Sequence, residues 1–249
     1  MSGLLRSELL KQRSTRTNLA LLLSMVGLIS AIVLLHMVSL SAHDLSGREG
    51  QLKVFGLGTT FGMIFASLLG ALSITSEIRY GTIRPTLLAT PNRARVIVAK
   101  VAASATAGAA FGLLAETLAV GVGSAGLAAR GIQIAPSGGE YAQLLAGGAV
   151  AAALWAAIGV GVGAIVRNQI GAVVGLVVWL LFVEMTLIGS VPSAAKYAPG
   201  ASAGAIAGAI LEQTATYLIA PALGALLSVA YAATATTAGL IATNRRDVS

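Results

Sequence analysis

Glu116 and Glu184 are the residues whose positions first suggest chemistry, because each is the only acidic or basic residue in a long apolar run. A carboxylate inside such a run is costly to bury, so it indicates a proton site, a contact for a cationic substrate, or an ion pair. Lys196 and Arg130 are the candidate partners for an ion pair. A structural carboxyl group near the outer rim of the bundle is the alternative interpretation, and the residues alone leave these roles open.

Other patterns for catalysis or metal binding are missing from the sequence. The chain has no cysteine, which excludes disulfide, thiol and iron–sulfur chemistry. Its four lysines are followed by Gln12, Val54, Val101 and Tyr197, so no lysine belongs to a phosphate-binding P-loop. No Ser/His/Asp set, His-Glu-x-x-His motif or cluster with metal-ligand spacing is found, and His36 is interpreted as structural.

The composition indicates a protein that crosses a membrane several times. Of its 249 residues, 56% are hydrophobic and 10% are charged, and the mean hydropathy is +0.87. Soluble domains carry about 25% charged residues, whereas a helix needs roughly 20 mostly apolar residues to span a bilayer. In lipid these segments must be helical, because each backbone polar group needs an internal partner. The predicted fold is all-α, a six-transmembrane-helix bundle with spans at 18–41, 54–75, 97–129, 141–166, 169–191 and 217–243.

The basic residues predict the orientation of this bundle. Twelve of the sixteen lie in alternate segments: before the first span, around the loop after the second, between the fourth and fifth, and at the chain end. Cytoplasmic segments carry such an excess, so both termini of a multi-pass cell-membrane protein are predicted to be cytoplasmic. The same distribution argues against nucleic-acid binding, because the basic residues flank spans and do not share one folded face.

Residues 1–17, before the first span, are predicted to form an amphipathic helix at the membrane interface. Leu4, Leu5 and Leu9 alternate with charged residues such as Arg6 and Lys11 at helical spacing. In that position leucines face acyl chains while basic side chains meet anionic headgroups, so membrane lipids are predicted partners. The six-span domain then occupies 18–246, with its first span as an uncleaved signal anchor and 247–249 as a tail.

The longest outer segment, residues 192–216, precedes the last span. Its small-residue run at 201–211 is too short to cross the bilayer and is predicted to be a short outer helix or a re-entrant segment packed on protein. Close helix packing is predicted where glycines lie four residues apart. These pairs are Gly58/Gly62, Gly108/Gly112, Gly159/Gly163 and Gly171/Gly175.

The loop after the second span, residues 76–96, is predicted to contain a short helix parallel to the membrane. Thr82 is placed to cap it by accepting backbone N–H groups, Pro85 is tolerated in its first turn, and Pro91 ends it. Gly81 allows the tight turn before it. Glu77 is predicted to pair with an arginine of the loop: Arg84, Arg93 or Arg95. An ordinary basic connector is the alternative.

The sequence EIRYGTIRPTLLATP at residues 77–91, followed by Arg93, Arg95 and Lys100, resembles the Glu-x-x-x-Gly-Thr-hydrophobic-Arg loop of type-2 ABC exporter permeases. The order of elements is similar as well, with an amphipathic entry helix, six spans, a coupling helix after the second span, and a long outer segment before the sixth. This likeness covers most of the chain, and the loop is its one specific motif.

The resemblance implies the transmembrane subunit of an ATP-driven exporter, with no catalytic activity of its own. Family members pair two permeases, identical or different, with two separate ATPase subunits that bind ATP and Mg. The loop inserts into a groove of each ATPase, and the permease dimer forms the translocation path. The residues implied in this coupling are Glu77, Gly81, Thr82, Ile83, Arg84, Leu87 and Leu88. Small and aliphatic residues in the outer half suit a lipophilic or amphipathic substrate.

An ion-coupled secondary transporter that uses Glu116 and Glu184 is the alternative function. The sequence shows no internal repeat of the transporter type and few polar residues within the spans, and both observations count against it. An intramembrane enzyme is the third function considered. It is the least favoured, because the sequence contains no set of residues with the spacing of a known catalytic site.

Overall fold

The computed structural model describes residues 2–90, 92–209 and 219–245, and these residues contain helices but no strand. The helices are α1 (Ser2–Ser14), α2 (Arg16–Ser39), α3 (Ala42–Ser46), α4 (Arg48–Phe55), α5 (Leu57–Arg79), α6 (Ile83–Ala89), α7 (Arg93–Ala129), α8 (Gly138–Val166), α9 (Gln169–Val178), α10 (Glu184–Ser190), α11 (Pro192–Ala195), α12 (Pro199–Ala207) and α13 (Pro221–Arg245). A π-helical turn, Trp179–Val183, joins α9 to α10.

Within the described residues, six helical segments are long and apolar enough to cross a membrane, as expected for a multi-pass membrane protein. They are Arg16–Ser39, Arg48–Arg79, Arg93–Ala129, Gly138–Val166, Gln169–Ser190 and Pro221–Arg245. The prediction of a helical fold with six segments able to span a membrane is confirmed for the described residues. The second span starts earlier than predicted because α4 runs into α5 through Gly56, whose backbone is helical.

The centre of the bundle is formed by α5, α7 and α8, which pack against one another along most of their lengths. Glycines allow this close approach. A Cβ at Gly70 would overlap the backbone carbonyl of Ala156, and one at Gly159 would overlap that of Ser67. The predicted pairs in α5, α7 and α8 all lie at such contacts. A side chain at these positions would therefore force the helices apart.

The spans built from α2, from α9 with α10, and from α13 lie at the periphery, with most of their residues outside the core. The predicted packing of Gly171 and Gly175 is wrong. A Cβ at Gly175 would meet no atom within 4 Å, and one at Gly171 would meet only the neighbouring turn. The peripheral fifth span presents this face away from the bundle, so no described helix lies opposite these glycines.

The two ends of the bundle differ in their elements. We call the end that carries α1, α6 and the start of α7 the loop end, and the end that carries α3, α11 and residues 130–137 the far end. At the far end Arg130 donates to the carbonyls of Met37 (2.6 Å) and Leu40 (2.9 Å), at the end of α2. In the small-residue run predicted as a short helix or a re-entrant segment, the structure has the short helix α12, which packs on α8 and α13. The end of that run and the predicted start of the last span, within 210–218, lie outside the described residues.

Candidate functional site

Four charged side chains meet at the loop end: Glu8 and Lys11 from α1, Glu77 from α5, and Lys100 from α7. Lys100 Nζ lies 2.8 Å from Glu8 Oε2 and 2.8 Å from Glu77 Oε1. Lys11 Nζ lies 2.7 Å from Glu8 Oε1 and 2.8 Å from Glu77 Oε1. Carboxylates and ammonium groups therefore alternate, and the charges balance. We call these four residues the charged cluster.

The charged cluster is largely removed from solvent. Lys100 is 1% exposed and Glu8 is 2% exposed, whereas Lys11 lies at the rim. Burying a charge is strongly unfavourable unless opposite charges and hydrogen bonds compensate it. Lys100 meets this requirement with two carboxylates and with the backbone carbonyl of Ser73, at 3.1 Å. Removing any one partner would leave a buried charge without compensation.

The local environment shifts the pKa values of the two α1 members. Burial by itself would raise the pKa of the Glu8 carboxyl, but the positive charge of Lys100 and hydrogen bonds from Lys100 and Lys11 outweigh it and lower this pKa. Burial would likewise lower the pKa of Lys11, and hydrogen bonds to Glu77 and Glu8 outweigh it and raise this pKa. Both groups are therefore held in their charged forms over a wide pH range.

The charged cluster joins three helices that are distant in sequence. Sixty-six residues separate Lys11 from Glu77, and 92 separate Glu8 from Lys100. Gln12 adds a further link between α1 and α7, because its amide donates to Ser104 Oγ at 2.9 Å. The last turn of the second span is thus fixed to the entry helix and to the start of the third span.

The predicted pairing of Glu77 with Arg93 or Arg95 is wrong, since Glu77 Oε1 binds the two lysines of the cluster. Pairing with Arg84 stays a prediction, because that side chain lies outside the described residues. Arg93 instead donates to the carbonyl of Thr243 in α13, at 2.7 Å. Lys100 lies seven residues further along α7, about 10 Å deeper into the bundle, which brings it level with Glu77. The sequence analysis placed Lys11 on the basic face of the interfacial helix and Lys100 at the end of the loop motif, and predicted neither as a partner of Glu77. The available signal was a lone acidic residue, Glu8, among the basic residues of the entry helix.

The predicted short helix after the second span is present as α6, and Pro85 lies in its first turn. Gly81, just before it, has φ of +72°, a left-handed conformation that favours glycine. Thr82 occupies the N-cap position but does not cap, so that prediction is wrong. Its backbone is helical, and its hydroxyl instead donates to the carbonyl of Glu77 at 3.5 Å. The turn is consequently closed by Gly81 and by this hydroxyl.

The side chains of the loop divide between bundle and surface. Ile83 is partly buried against a core group that includes Ile74 and Ile97. Leu88 is 82% exposed and Tyr80 is 71% exposed, although both are large and apolar in character. The side chains of Arg84 and Leu87, together with Pro91, lie outside the described residues. The loop therefore presents at least two large side chains that the rest of the chain does not cover.

Glu116 lies in the centre of the bundle and is fully buried. One oxygen accepts a hydrogen bond from the Thr59 hydroxyl, and the other, Oε2, has no partner among the described residues. The absence of side chains at Gly58 and Gly148 makes room for it, because a Cβ at either position would collide with the carboxylate side chain. Of the two intramembrane glutamates, Glu116 alone retains a free acceptor.

Glu184 serves a different role, because all of its hydrogen bonds fix one local structure. Its oxygens accept from the backbone N–H groups of Gly200 (2.8 Å) and Ala201 (3.0 Å), in the first turn of α12, and from Trp179 Nε1 (2.7 Å). The carboxylate thereby satisfies N–H groups that have no partner within the helix. The π-helical turn brings Trp179 and Glu184 together although they are five residues apart.

The structure does not bring the two glutamates together, since their hydrogen-bond partners belong to different helices. The ion pairs considered for them are also wrong. Arg130 binds the end of α2, and the ammonium of Lys196 lies 5.1 Å from the centre of the Tyr197 ring. His36 Nδ1 is 2.9 Å from the carbonyl of Ile32 in its own helix. Within the described residues, no group of three potential metal ligands is found.

No protein-family model matches the chain, and no curated protein is significantly similar to it.

Proposed function

We propose that this chain is the transmembrane permease subunit of an ATP-binding-cassette exporter, coupled through residues 77–91 to a separate ATPase. The observation that carries the proposal is the construction of this loop. It resembles the exporter motif in sequence, it exposes Tyr80 before α6 and Leu88 within α6, and its entrance is held by the buried charged cluster. An ordinary connector would need neither exposed apolar side chains nor a fixed entrance.

The charged cluster gives this loop a means of transmitting force. A push on α6 acts through the turn at Gly81 on the end of α5. Because Glu77 is tied to Lys11 and Lys100, α1 and α7 move with α5 as one unit. Coupling of this kind needs rigid contact and no chemistry in the permease. ATP and Mg are bound by the two ATPase subunits, and a second permease, identical or different, completes the path.

The proposed orientation places both termini in the cytoplasm of a cell-membrane protein. Six crossings put the two ends of the chain on the same side, and the excess of basic residues in the loop-end segments makes that side cytoplasmic. In this orientation α1 lies along the inner membrane surface with its buried face on α7. The loop end then faces the compartment that contains ATP.

A cavity of about 740 Å³ at the far end supports an amphipathic substrate. Its walls combine charged residues such as Asp44 and Lys53 with apolar residues such as Phe61, Leu181 and Met185. Ligand sites typically have volumes of about 300–1,000 Å³ and mainly apolar walls with a few polar groups. We assign this cavity to the outer part of the translocation path.

Replacing Leu88 by glutamate tests the proposal. The tagged chain is co-expressed with the product of its neighbouring open reading frame, provided that this frame encodes a Walker A ATPase, and the two are purified in nanodiscs. ATPase retention and hydrolysis are then measured. Burial of an exposed leucine in a partner groove stabilises a complex by about 1.5–3 kcal/mol, so Leu88→Glu should reduce retention at least tenfold. Ile134→Glu is the control, because Ile134 is 51% exposed in a far-end loop. Equal retention by both variants would refute coupling through α6.

The free oxygen of Glu116 is the one observation that favours the second function, an ion-coupled transporter. A buried carboxylate with an open acceptor can hold and release a proton. In that case Glu116→Gln would abolish transport driven by a proton gradient and would leave ATP hydrolysis by any associated subunit unchanged. Transport that needs ATP and persists in Glu116→Gln would exclude this alternative.

A further inference from the structure

The walls of the 740 Å³ cavity at the far end change in character with depth. We call it the far-end cavity. Its charged wall residues, which include Glu49 and Lys53 of α4, all lie toward the far end. Phe61 lies eight residues beyond Lys53 on the same continuous helix, which places it about 12 Å deeper. The deeper walls are apolar apart from the hydroxyl of Thr60.

The two charges that α4 contributes are complementary, but they do not pair. Glu49 and Lys53 are four residues apart with the acid nearer the helix start, which is the favoured order for an ion pair on a helix. Within the described part of the chain, neither side chain makes an ion pair or a hydrogen bond. Glu49 is exposed and Lys53 is half-buried. Both charges are therefore available to a ligand in the cavity.

The other polar groups of the walls are partly occupied. Asp44 Oδ2 accepts from the backbone N–H (3.2 Å) and the hydroxyl (2.6 Å) of Ser41, which leaves its other oxygen. His36 Nδ1 lies 2.9 Å from a carbonyl of its own helix, and the Thr60 hydroxyl donates to a carbonyl at 3.4 Å. Hydrogen bonds from Ser41 lower the pKa of Asp44, and the nearby charge of Lys53 contributes to this. Two carboxylates and one ammonium thus share the far-end walls.

The depth of these charges matches the structure of a bilayer. The second span is 32 residues long, about 48 Å, whereas the hydrocarbon core is about 30 Å thick. Residues 54–76 of this span contain no acidic or basic residue. Lys53 therefore lies at the level of the headgroups, and Phe61 lies at the level of the acyl chains. An amphiphile with its charged end beside Lys53 keeps its chain at the depth that it has in a bilayer.

Another wall comes from the fifth span, where its helix is irregular. Leu181 belongs to the π-helical turn, and Met185 follows in α10. Turns of this kind occur frequently at functional sites. Leu181 and Phe61 are both partly buried against the same core group. Two helices therefore place apolar side chains around the deeper part of the far-end cavity.

We propose that the far-end cavity binds a zwitterionic amphiphile, with its anionic group at Lys53, its cationic group at Glu49 and Asp44, and its chain beside Phe61 and Leu181. This inference rests on the proposed function, because it names the substrate class of the path assigned there. An anionic headgroup would face two carboxylates, and a cationic headgroup would face the free ammonium of Lys53. A headgroup with both charges, of the phosphocholine or phosphoethanolamine kind, complements both.

Three amphiphiles with the same dodecyl chain test the charge selectivity. The full chain is held in micelles of neutral dodecyl maltoside and labelled with dodecylphosphocholine that carries a photoreactive diazirine in its chain. We expect mass spectrometry to place the crosslinks near Phe61 and Leu181. Unlabelled dodecylphosphocholine should prevent them at a lower mole fraction than cationic dodecyltrimethylammonium or anionic dodecyl phosphate. Equal or better competition by either singly charged amphiphile would overturn the proposal.

Variants of α4 identify the groups that recognise each charge. Lys53→Gln should weaken competition by dodecylphosphocholine and dodecyl phosphate about threefold, as expected for one partly exposed ion pair, but not competition by dodecyltrimethylammonium. Glu49→Gln should weaken the zwitterion and the cation, but not the anion, so each variant is the control for the other. Lys196→Gln, a lysine outside the cavity walls, should change none of them. Equal effects of a variant on all three amphiphiles would refute recognition by charge.

Lysophosphatidylcholine and phosphatidylcholine distinguish two sources of the headgroup. Competition by both shows that a phospholipid of the bilayer is sufficient to occupy the site. Competition by lysophosphatidylcholine alone assigns the site to single-chain amphiphiles. Competition by neither would refute the site.

The role of the bound amphiphile as a substrate is tested in the complex with the ATPase. Dodecylphosphocholine should raise ATP hydrolysis by the wild-type complex, and Lys53→Gln should need a higher mole fraction for the same rise. A complex that hydrolyses ATP without any response to dodecylphosphocholine would overturn the substrate assignment. The labelling assays use the chain without an ATPase. Their failure would therefore leave coupling through α6 intact, whereas loss of ATPase association with selective labelling preserved would contradict the proposed function alone.

Discussion

The ammonium group of Lys100 lies 2.8 Å from the carboxylate of Glu8, although 92 residues separate the two along the chain and both are buried. This contact fixes the entry helix α1 to the third span. Glu77 shares the same lysine, so the loop that leaves the second span begins from a fixed point. The stability of this arrangement and its importance for coupling can be tested separately.

Lys100→Met should destabilise the chain by about 3–5 kcal/mol, because it leaves two buried carboxylates with one partly exposed lysine between them. The measurement is the free energy of unfolding in mild detergent. Glu8→Gln combined with Lys100→Met should cost less than the sum of the single variants, since the buried charge is then removed with its partner. Lys196→Met, outside the charged cluster, is the control. Strict additivity of Glu8→Gln and Lys100→Met would contradict the ion pair.

The charged cluster should stabilise the chain between moderately acidic and strongly basic pH. The folded pKa of Glu8 lies below its ordinary value of 4.5, so its contribution is complete above that pH and is lost as the pH falls through the folded pKa. The folded pKa of Lys11 lies above 10.5, so its contribution is complete below that pH and is lost as the pH rises through the folded pKa. Unfolding temperatures measured across pH test this.

Glu8→Gln should flatten the acid side of this pH profile, because the group that titrates there is gone. Glu49→Gln, in the far-end helix α4, removes an exposed carboxylate and serves as the control. An acid slope that is identical in the wild type and in Glu8→Gln would show that other carboxylates cause the loss of stability.

Gly81→Val should lower ATPase retention, whereas Gly131→Val should not. Both glycines have positive φ, +72° and +67°, and neither has an atom within 4 Å of a built Cβ. Each substitution therefore costs about 1–2 kcal/mol of backbone strain without a steric clash. They differ in that Gly81 precedes α6 and Gly131 lies at the far end. Gly81→Asn, which tolerates the left-handed region, should retain most association. Equal losses in the two valine variants would assign the effect to strain alone.

Glu184→Ala should destabilise the chain by about 2 kcal/mol or more, because three donors lose their acceptor and two of them are buried N–H groups of α12. Glu184→Gln should destabilise the chain by an intermediate amount. The amide oxygen of glutamine still accepts a hydrogen bond, but its NH₂ group cannot accept one from the N–H donors that it faces. Glu49→Gln is the control for an exposed carboxylate in the first turn of a helix. Unchanged stability of Glu184→Ala and Glu184→Gln would show that the carboxylate has a function beyond holding α12.

Local sequence patterns were sufficient to predict most of the helices. Hydropathy predicted six spans, since each span depends on about twenty consecutive residues and on the cost of unpaired backbone groups in lipid. The short helices α6 and α12 were also predicted, from proline positions and run length. Gly81 was predicted as a turn residue because glycine has no Cβ and adopts positive φ angles at little cost.

Contacts between distant residues were decided only by the tertiary structure. Lys11 meets Glu77 across 66 residues because α1 folds back onto the bundle, and Glu184 binds α12 because a π-helical turn redirects it. Thr82 fails to cap α6 because its own backbone is helical. The sequence by itself determined which segments are helical and which of them can cross a membrane, because these follow from local energetics. The partners of each buried charge depend on the rotation and depth of packed helices, and those are set by the whole bundle.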